Sequence, residues 1–445
     1  MKDKKRVGRL SSPLIARSAI AFLDQAILSA TNFLVSIILI RHVPKEEYGY
    51  YSIAFAVALF LVSIQDALVS SPVSVLLASK KEEARHTYVS AVYWGQFLFL
   101  VPTVCLGLLI TIGLLYMGID TVKVLTVGSI CIAALGVLPR EFARAYYFAE
   151  ETPLTVLKLD SCYVAVYLGS ISVTHLSCGI SVPVVFVFMG VSGFLTAAIF
   201  NGCRRWRCDW ASIRATYKEN WNFGRWTLFG VFVTHIQSYC NLYLLGALLS
   251  GAAAGSVSAS RLPLMPLALI QAGWNKIALP RGASLRESRQ LHRFFKEQML
   301  VSVIVGIGIV LYVSVLLMSA DFLKQFLFTK EYESALNFII FWGMINIASY
   351  AALNASCGLQ VIREFSIIAK VNFVTMTITL SLNYVLIQTH GITGSLVSSL
   401  IGESLFAVVL WWLLRRRYFP QLELRRMWSG RKIFRWVFRE KEISS

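Results

Sequence analysis

The stretch FLDQAILSATNFLVSIILIRHVPKEEYGYYSIAFAV, residues 22–57, decides the fold class. It contains the end of one long apolar segment, a short polar turn and the start of a second apolar segment. A helix needs roughly 20 apolar residues to cross the hydrocarbon core of a bilayer. The stretch therefore predicts two membrane-crossing helices joined by a tight turn.

The same pattern extends outward and fills nearly the whole chain of 445 residues. The predicted spans are 15–40, 50–78, 88–117, 122–148, 153–175, 179–202, 225–249, 252–278, 297–319, 333–361, 366–389 and 392–414. Charged residues make up 15% of the chain, below the roughly 25% of soluble proteins. A membrane β-barrel is excluded, because its strands are about ten residues long and alternate in polarity.

The distribution of basic residues predicts the orientation. With a cytoplasmic N-terminus, 36 of the 42 Lys and Arg residues fall in cytoplasmic segments and 5 fall on the opposite side. Cytoplasmic loops carry an excess of Lys and Arg, so both chain ends are predicted to be cytoplasmic. The Lys and Arg residues that give the chain its net charge of +18 lie next to the membrane helices. This placement indicates contact with anionic lipid headgroups, and no nucleic-acid partner is predicted.

The chain is predicted to be an all-α membrane protein with two six-helix bundles, residues 1–202 and 225–414, around a central cavity. The linker 203–224 carries aromatic residues at helical spacing and cations on its other faces, which predicts a helix in the cytoplasmic interface. A basic cytoplasmic tail, 415–445, follows the second bundle. Anionic headgroups are the predicted partners of the linker and of residues 415–441.

The two halves resemble each other in hydropathy, and each begins on the same side of the membrane. Gly49 and Gly255, in the turns after the first and seventh spans, coincide at an offset of 206. This favours a parallel repeat, whose halves are related by an axis along the membrane normal.

Polar residues recur on one face of three predicted helices. They are Ser18, Gln25, Ser29, Asn32 and Ser36 in the first, Thr227, Thr234, Ser238 and Asn241 with the adjacent His235 in the seventh, and Asn372, Thr375, Thr379 and Asn383 in the eleventh. Each single residue is explained by helix packing, because Ser, Thr and Asn form hydrogen bonds across helix interfaces. Together, the stripes favour a water-filled cavity between the bundles.

Charged residues inside membrane segments are costly and therefore informative. Four lie deep in their segments: Asp24, Asp66, Arg261 and Glu403. Five more lie nearer the cytoplasmic ends of the fourth and fifth spans: Arg140, Glu141, Arg144, Lys158 and Asp160. The deep group either binds substrate or a coupling ion, or forms an ion pair of Arg261 with Asp24 or Glu403. The residues of the second group either take part in the function or extend their charged ends to the lipid headgroups.

Signatures of catalysis and of cofactor binding are absent from the sequence. It contains no phosphate-binding G-x-x-x-x-G-K-[ST] loop, no H-E-x-x-H and no G-x-S-x-G. Cys203 and Cys208 share a basic loop but lack the second ligand pair that a zinc site requires. The chain is predicted not to be an enzyme and to hold neither a cofactor nor a metal.

The stretch 22–57 also resembles the opening of bacterial polysaccharide-transport flippases of the multidrug/oligosaccharidyl-lipid/polysaccharide exporter superfamily. In that family a helix with a polar pair and an Asn precedes a turn of the type G-P-E-E-Y-G. Here the pair is Asp24-Gln25, the Asn is Asn32, and the turn is VPKEEYG, residues 43–49. Val43 stands where the family usually has Gly.

The resemblance implies a protein of the bacterial inner membrane that moves a lipid-diphosphate-linked oligosaccharide or polysaccharide precursor by alternating access. The diphosphate and sugar are predicted to contact Arg261, Arg144, Lys158, Asn32, Gln25, His235 and Asn241. Ion coupling is predicted at Asp24, Asp66 and Glu403. The predicted partners are the lipid-linked substrate, membrane lipids and, as a further candidate, polysaccharide assembly proteins.

Two alternatives remain open at this point. A cation-coupled multidrug exporter of the same fold is favoured by the deep charges, which sum to acidic. A membrane-embedded polysaccharide polymerase or acyltransferase is disfavoured, because the longest predicted non-cytoplasmic loop is only Ala320–Tyr332.

Overall fold

The computed structural model of the protein describes residues 4–201 and 209–418. Within these residues the chain forms helices joined by short turns and no strands, so the predicted all-α fold is confirmed. The helices are α1 Lys4–His42, α2 Lys45–Gln65, α3 Ser71–Ser79, α4 Glu82–Tyr116, α5 Thr121–Ala149, α6 Pro153–Cys178, α7 Val182–Asn201, α8 Trp210–Leu248, α9 Gly251–Arg261, α10 Met265–Glu287, α11 Leu291–Met318, α12 Ala320–Phe326, α13 Ile339–Val361 and α14 Phe365–Tyr418. Cys203, Cys208 and the predicted tail from residue 419 onward lie outside the described residues.

Ten helical stretches of the described chain are long and apolar enough to cross a membrane. They are Ala19–His42, Lys45–Ser79, Ala84–Tyr116, Thr121–Ala149, Pro153–Cys178, Val182–Asn201, Gly251–Glu287, Leu291–Met318, Lys330–Val361 and Phe365–Arg416. The last stretch contains a non-helical break at Gly391, between the predicted eleventh and twelfth spans. Helix α8, which includes the predicted seventh span, is not among the ten.

Helix α8 differs from the prediction. The linker 203–224 and the span 225–249 were expected to be separate helices, but the described part of both forms one helix of 39 residues, Trp210–Leu248. Its first turn is capped by Asp209, whose carboxylate accepts a hydrogen bond from the Ser212 N–H. Hydrogen bonding from the Ser212 side chain is the main cause that lowers the pKa of Asp209.

The first part of α8 packs on the N-terminal bundle. The Tyr88 hydroxyl donates to Asn220 Oδ1 at 2.9 Å, and the Tyr217 hydroxyl donates to the Val92 carbonyl at 3.2 Å. One face of the predicted interfacial helix therefore contacts protein, while Trp210 and Trp221 are exposed. The reason is that the polar groups of Tyr217 and Asn220 form hydrogen bonds with α4. The spacing of aromatic residues alone does not predict these hydrogen bonds.

The N-terminal and C-terminal halves of the chain meet where α2 crosses α9. A Cβ atom on Gly49 would overlap the Gly251 carbonyl, and one on Gly255 would lie 2.5 Å from the Lys45 carbonyl oxygen. Only glycine allows the two backbones to approach so closely. Gly49 and Gly255, which coincide in the sequence repeat, thus face each other, as equivalent residues do near an axis that relates two halves.

Two membrane stretches are locally irregular. Residues Asp66–Ser70 form a π-helical turn before Pro72, and Leu262–Leu264 form a 3₁₀ turn that contains Pro263. Proline lacks an N–H group and clashes with the carbonyl of the preceding turn, so the helix must change its winding nearby. A charged residue, Asp66 or Arg261, lies at each irregularity.

Candidate functional site

Five charged side chains form a cluster inside the N-terminal bundle, called here the N-bundle charge cluster: Asp24, Arg140, Glu141, Arg144 and Asp160. Asp160 is its centre, because Arg140 Nη2 lies 2.6 Å from its Oδ1 and Arg144 Nε lies 2.7 Å from its Oδ2. Arg144 also donates to Asp24 Oδ2 at 3.1 Å and to Glu141 Oε2 at 2.8 Å. Asp160 is 0% exposed and Asp24 is 1% exposed.

Local sequence and helix packing together build this cluster. Arg140 and Arg144 are four residues apart on α5, so their side chains lie on one face. The short turn after α5 brings Asp160 of α6 opposite them, and α1, which packs on α6, supplies Asp24. The guanidinium carbon of Arg140 also lies 3.8 Å from the centre of the Tyr163 ring. This cation–π contact stabilises the buried guanidinium.

The cluster brings together residues for which the sequence predicted separate roles. Arg144, predicted to contact the diphosphate, is held by three carboxylates, and Asp24, predicted for ion coupling, is one of them. Lys158 is exposed and lies outside the cluster. Arg140, Glu141 and Asp160 were not among the predicted site residues. For Arg140 and Glu141, the signal that could have identified them is the unusual group of three charges, with Arg144, within one apolar helix.

Arg261 lies in the C-terminal bundle, apart from this cluster. Its guanidinium carbon is 5.4 Å from the centre of the Trp342 ring, whose indole N–H donates to Ser260 Oγ at 2.9 Å. The carboxyl of Glu403 interacts electrostatically with Arg261 and is also approached by Ser349 and Gln237. Of the two partners predicted for Arg261, Asp24 instead pairs with Arg144, because the two lie in the same bundle.

A cavity of about 430 Å³ lies between α2 and α8. Its lining includes Ser63, Thr227, Thr234, His235, Ser238 and Tyr239. The polar stripe predicted on the seventh span therefore faces a hollow between α8 and α2. Asn241 is buried beyond the cavity, and its side-chain oxygen accepts a hydrogen bond from the Leu242 N–H.

The other two polar stripes differ from that of α8. In α14, Thr375, Thr379 and Asn383 are buried, and Asn383 Nδ2 lies 3.6 Å from Cys240 Sγ. Asn383 thus packs α14 against α8, and Thr379 lies against Gly402 beyond the break in α14, so the packing interpretation applies to this stripe. In α1, Gln25 is exposed and Asn32 is partly buried.

The part of the chain that the structure describes contains no group of His, Cys, Asp and Glu residues with the arrangement of a metal site. Its cysteines are free, and burial accounts for Cys131, Cys240 and Cys357.

The chain belongs to the family of polysaccharide biosynthesis proteins, whose model matches residues 38–337. This match covers two thirds of the chain and includes both sides of the α2–α9 crossing. The resemblance inferred from the stretch 22–57 is thus confirmed. Among curated proteins, no sequence matches the chain significantly.

Solved structures with the same fold are transporters of the MOP superfamily. A multidrug resistance MATE family transporter in an inward-facing conformation has a TM-score of 0.70 at 13% identity, with 91% of this chain and 97% of that chain covered. An outward-facing MATE family transporter has a TM-score of 0.59 at 14% identity, with 91% and 94% covered. The lipid II flippase MurJ, in an inward closed conformation, has a TM-score of 0.65 at 14% identity, with 90% and 87% covered.

The buried position of Asp160 yields a stability prediction. Asp160→Asn removes the charge that faces both Arg140 and Arg144, and breaking a buried ion pair costs about 3–5 kcal/mol. We expect a clearly lower thermal unfolding midpoint of the purified protein in detergent.

The matched control is Asp321→Asn, because Asp321 is fully exposed and lies 3.9 Å from Lys324. Exposed ion pairs contribute little to stability, so no change in the midpoint is expected. An equal effect of both substitutions would contradict the structural importance of the cluster.

Proposed function

We propose that this protein is a flippase that moves a lipid-diphosphate-linked oligosaccharide or polysaccharide precursor across the bacterial inner membrane by alternating access. The observation that carries the proposal is the cavity between α2 and α8, lined in part by hydroxyl-bearing side chains, in a member of the polysaccharide biosynthesis family. A sugar headgroup needs such a hydrated route, while the lipid tail stays in the bilayer and passes through a lateral gap between helices. No enzymatic reaction is part of this proposal.

The proposed topology has twelve spans with both chain ends in the cytoplasm. Helix α8 has 39 residues and a length of about 58 Å, more than the roughly 30 Å of the hydrocarbon core. The stretch Phe365–Arg416 has 52 residues, about 78 Å if straight, and the break at Gly391 divides it into two spans of suitable length. The counts of basic residues support the orientation.

In this topology the α2–α9 crossing lies near the periplasmic face, and the conformation is inward-facing. The same end is held by further contacts between the halves. Lys45 donates to the Glu331 carbonyl at 3.0 Å, Arg41 donates to the Gln325 carbonyl, and the rings of Tyr48 and Tyr332 are 6.1 Å apart. The higher TM-score with an inward-facing than with an outward-facing transporter supports this assignment. Rocking of the bundles then opens the other side.

Arg261 is the proposed anchor for the diphosphate. Unlike Arg144, whose guanidinium is shared among three carboxylates, Arg261 is exposed and has Glu403 as its acidic neighbour. An arginine fork matches the geometry of phosphate oxygens. Arg144 and Lys158 are secondary candidates for the diphosphate, and Gln25, Asn32, His235 and Asn241 are candidates for the sugar route.

Ion coupling is proposed at Asp24, Asp66 and Glu403. When ionised, the N-bundle charge cluster holds three carboxylates and two guanidinium groups, so one proton or one Na⁺ neutralises it. Asp24 Oδ1 is buried without a hydrogen-bond partner among the described residues, and its carboxyl faces that of Asp160. Binding of a cation there relieves the repulsion between two close carboxylates.

The second candidate function is a cation-coupled multidrug exporter. The excess negative charge of the N-bundle charge cluster favours it, because drug cations bind to acidic cavities. Efflux of ethidium from vesicles distinguishes the two functions. A flippase leaves ethidium in place, and rapid efflux would support the exporter.

Thiol labelling tests the topology. Cys178 at the end of α6 is exposed, and in the proposed topology it faces the periplasm, as do Leu249→Cys and His390→Cys. We expect these thiols to react with a membrane-impermeant maleimide in spheroplasts. Ser288→Cys, in the turn after α10, is expected to react only after permeabilisation.

Each variant carries its test cysteine in a background with the other cysteines replaced. Equal labelling of Ser288→Cys and Leu249→Cys in spheroplasts would contradict a membrane crossing between them.

Transport is tested in proteoliposomes with a fluorescent polyprenyl-diphosphate-linked sugar, whose arrival in the opposite leaflet is followed by quenching. We expect Arg261→Ala to slow flipping at least about tenfold, because a charge-assisted hydrogen bond contributes about 1.5–3 kcal/mol. Arg261→Lys keeps the charge and is expected to retain part of the activity.

The matched control is Arg17→Ala, because Arg17 is also an exposed arginine beside a single carboxylate, Glu151. Normal protein level and normal flipping by Arg261→Ala would remove this residue from the mechanism. Absence of flipping by the unaltered protein would overturn the proposed function.

The same vesicles test ion coupling. With a proton or sodium gradient imposed, flipping by the unaltered protein is expected to accelerate, whereas Asp24→Asn no longer responds to the gradient. Asp66→Asn and Glu403→Gln are measured in parallel, and Asp321→Asn is the exposed control. A gradient response retained in Asp24→Asn would exclude Asp24 as the coupling site.

A further inference from the structure

The cavity between α2 and α8 is lined by neutral groups. Ser63 belongs to the N-terminal bundle, and Thr227, Thr234, His235, Ser238 and Tyr239 belong to α8. No carboxylate and no Lys or Arg is part of this lining. Its volume of about 430 Å³ is in the range of about 300–1,000 Å³ typical of small-molecule sites. A neutral lining disfavours both a diphosphate and a drug cation as its occupant.

Two hydroxyl groups of the lining are oriented as hydrogen-bond acceptors, because each donates its own proton to a carbonyl of its helix. The Thr234 hydroxyl donates to the Gly230 carbonyl at 2.8 Å, and the Ser63 hydroxyl donates to the Leu59 carbonyl at 2.8 Å. Because each hydroxyl has a single proton, its lone pairs remain for a ligand. The two oxygens therefore accept hydrogen bonds from a ligand that carries O–H or N–H groups.

Aromatic rings form a second wall. The His235 ring is stacked on Phe60 with centroids 4.4 Å apart and lies 4.7 Å from Tyr239. His235 Nε2 is 2.8 Å from the Tyr243 hydroxyl, which fixes the ring orientation. The face of an aromatic ring carries partial negative charge and attracts weakly positive C–H groups. One face of a pyranose ring presents such C–H groups, while its edge presents hydroxyls.

We propose that this cavity is a binding subsite for a neutral pyranose, one of the sugars of the transported headgroup. This inference rests on the proposed function and extends it: Arg261 binds the diphosphate, and the α2–α8 cavity binds a sugar. The sugar ring stacks against Tyr239, and its hydroxyls donate to Thr234 and Ser63.

The position of the subsite also couples sugar binding to conformation. Ser63 lies on α2 and the other lining residues lie on α8, whose first part packs on the N-terminal bundle and whose later part packs on α14. Any motion that separates α2 from α8 moves Ser63 away from the lining residues on α8. The subsite therefore weakens its hold on the sugar when the bundles rearrange, which favours release on the other side.

The test compares two probes that differ only in the sugar: undecaprenyl diphosphate, and the same lipid bearing N-acetylglucosamine or galactose. Binding to the full-length protein in nanodiscs is measured by native mass spectrometry. The unaltered protein is expected to bind a sugar-bearing probe about tenfold more tightly than the bare diphosphate, which corresponds to about 1.4 kcal/mol. Thr234→Val and Tyr239→Leu are expected to lose this preference while keeping their affinity for the bare diphosphate.

Thr377→Val is the matched control. Thr377 is exposed on α14, and its hydroxyl donates to the Phe373 carbonyl at 2.9 Å, as Thr234 does to Gly230. The preference for the sugar is expected to stay unchanged. An unchanged thermal unfolding midpoint shows that Thr234→Val is folded.

The outcomes separate the two proposals. Binding of the bare diphosphate without a preference for either sugar, or a preference that survives in Thr234→Val and Tyr239→Leu, would overturn the sugar subsite alone. Failure to bind any of the lipid probes would overturn the proposed function. Displacement of the sugar-bearing probe by tetraphenylphosphonium would assign the cavity to hydrophobic cations instead.

Discussion

The contact on which the structure depends is the crossing of α2 and α9 at Gly49, Gly251 and Gly255. At this point two backbones touch without intervening side chains, so the two bundles are held at a fixed distance by atoms that cannot rotate away. In lipid, apolar side chains gain nothing from being hidden from water, and close backbone packing is what associates helices. The crossing therefore sets how closely the two halves of the chain approach at this end of α2.

The charged residues divide the interior into two chemically different parts. In the N-bundle charge cluster, three carboxylates surround two arginines, so both guanidinium groups already have internal partners. A buried ion pair of this kind is expensive to form in an apolar environment, and stability alone is a weak explanation for it. In the C-terminal bundle, Arg261 is exposed with Trp342 beneath it and can meet an external anion. This asymmetry supports the proposed ion-coupling site in one half of the chain and the proposed diphosphate anchor in the other.

Helix α8 joins these parts. It packs on α4 through Tyr217 and Asn220, lines the cavity through Thr234 and its neighbours, and contacts α14 through Cys240. The same helix thus contacts the N-terminal bundle at one end and forms most of the cavity lining further along. A change in the separation of the bundles must bend α8 or break one of these sets of contacts.

The sequence by itself determined the membrane class, the approximate helix positions, the family resemblance and the presence of polar stripes on three helices. These features depend on length, local periodicity and short motifs, which are properties of contiguous residues. Only the tertiary structure decided which polar residues face the hollow and which pack, since the stripes of α8 and α14 are alike in sequence. Only the tertiary structure also paired Asp24 with Arg144, 120 residues later, and merged the linker with the helix that follows. Such contacts join segments far apart along the chain, and no local pattern encodes which of several charged or polar residues becomes the partner.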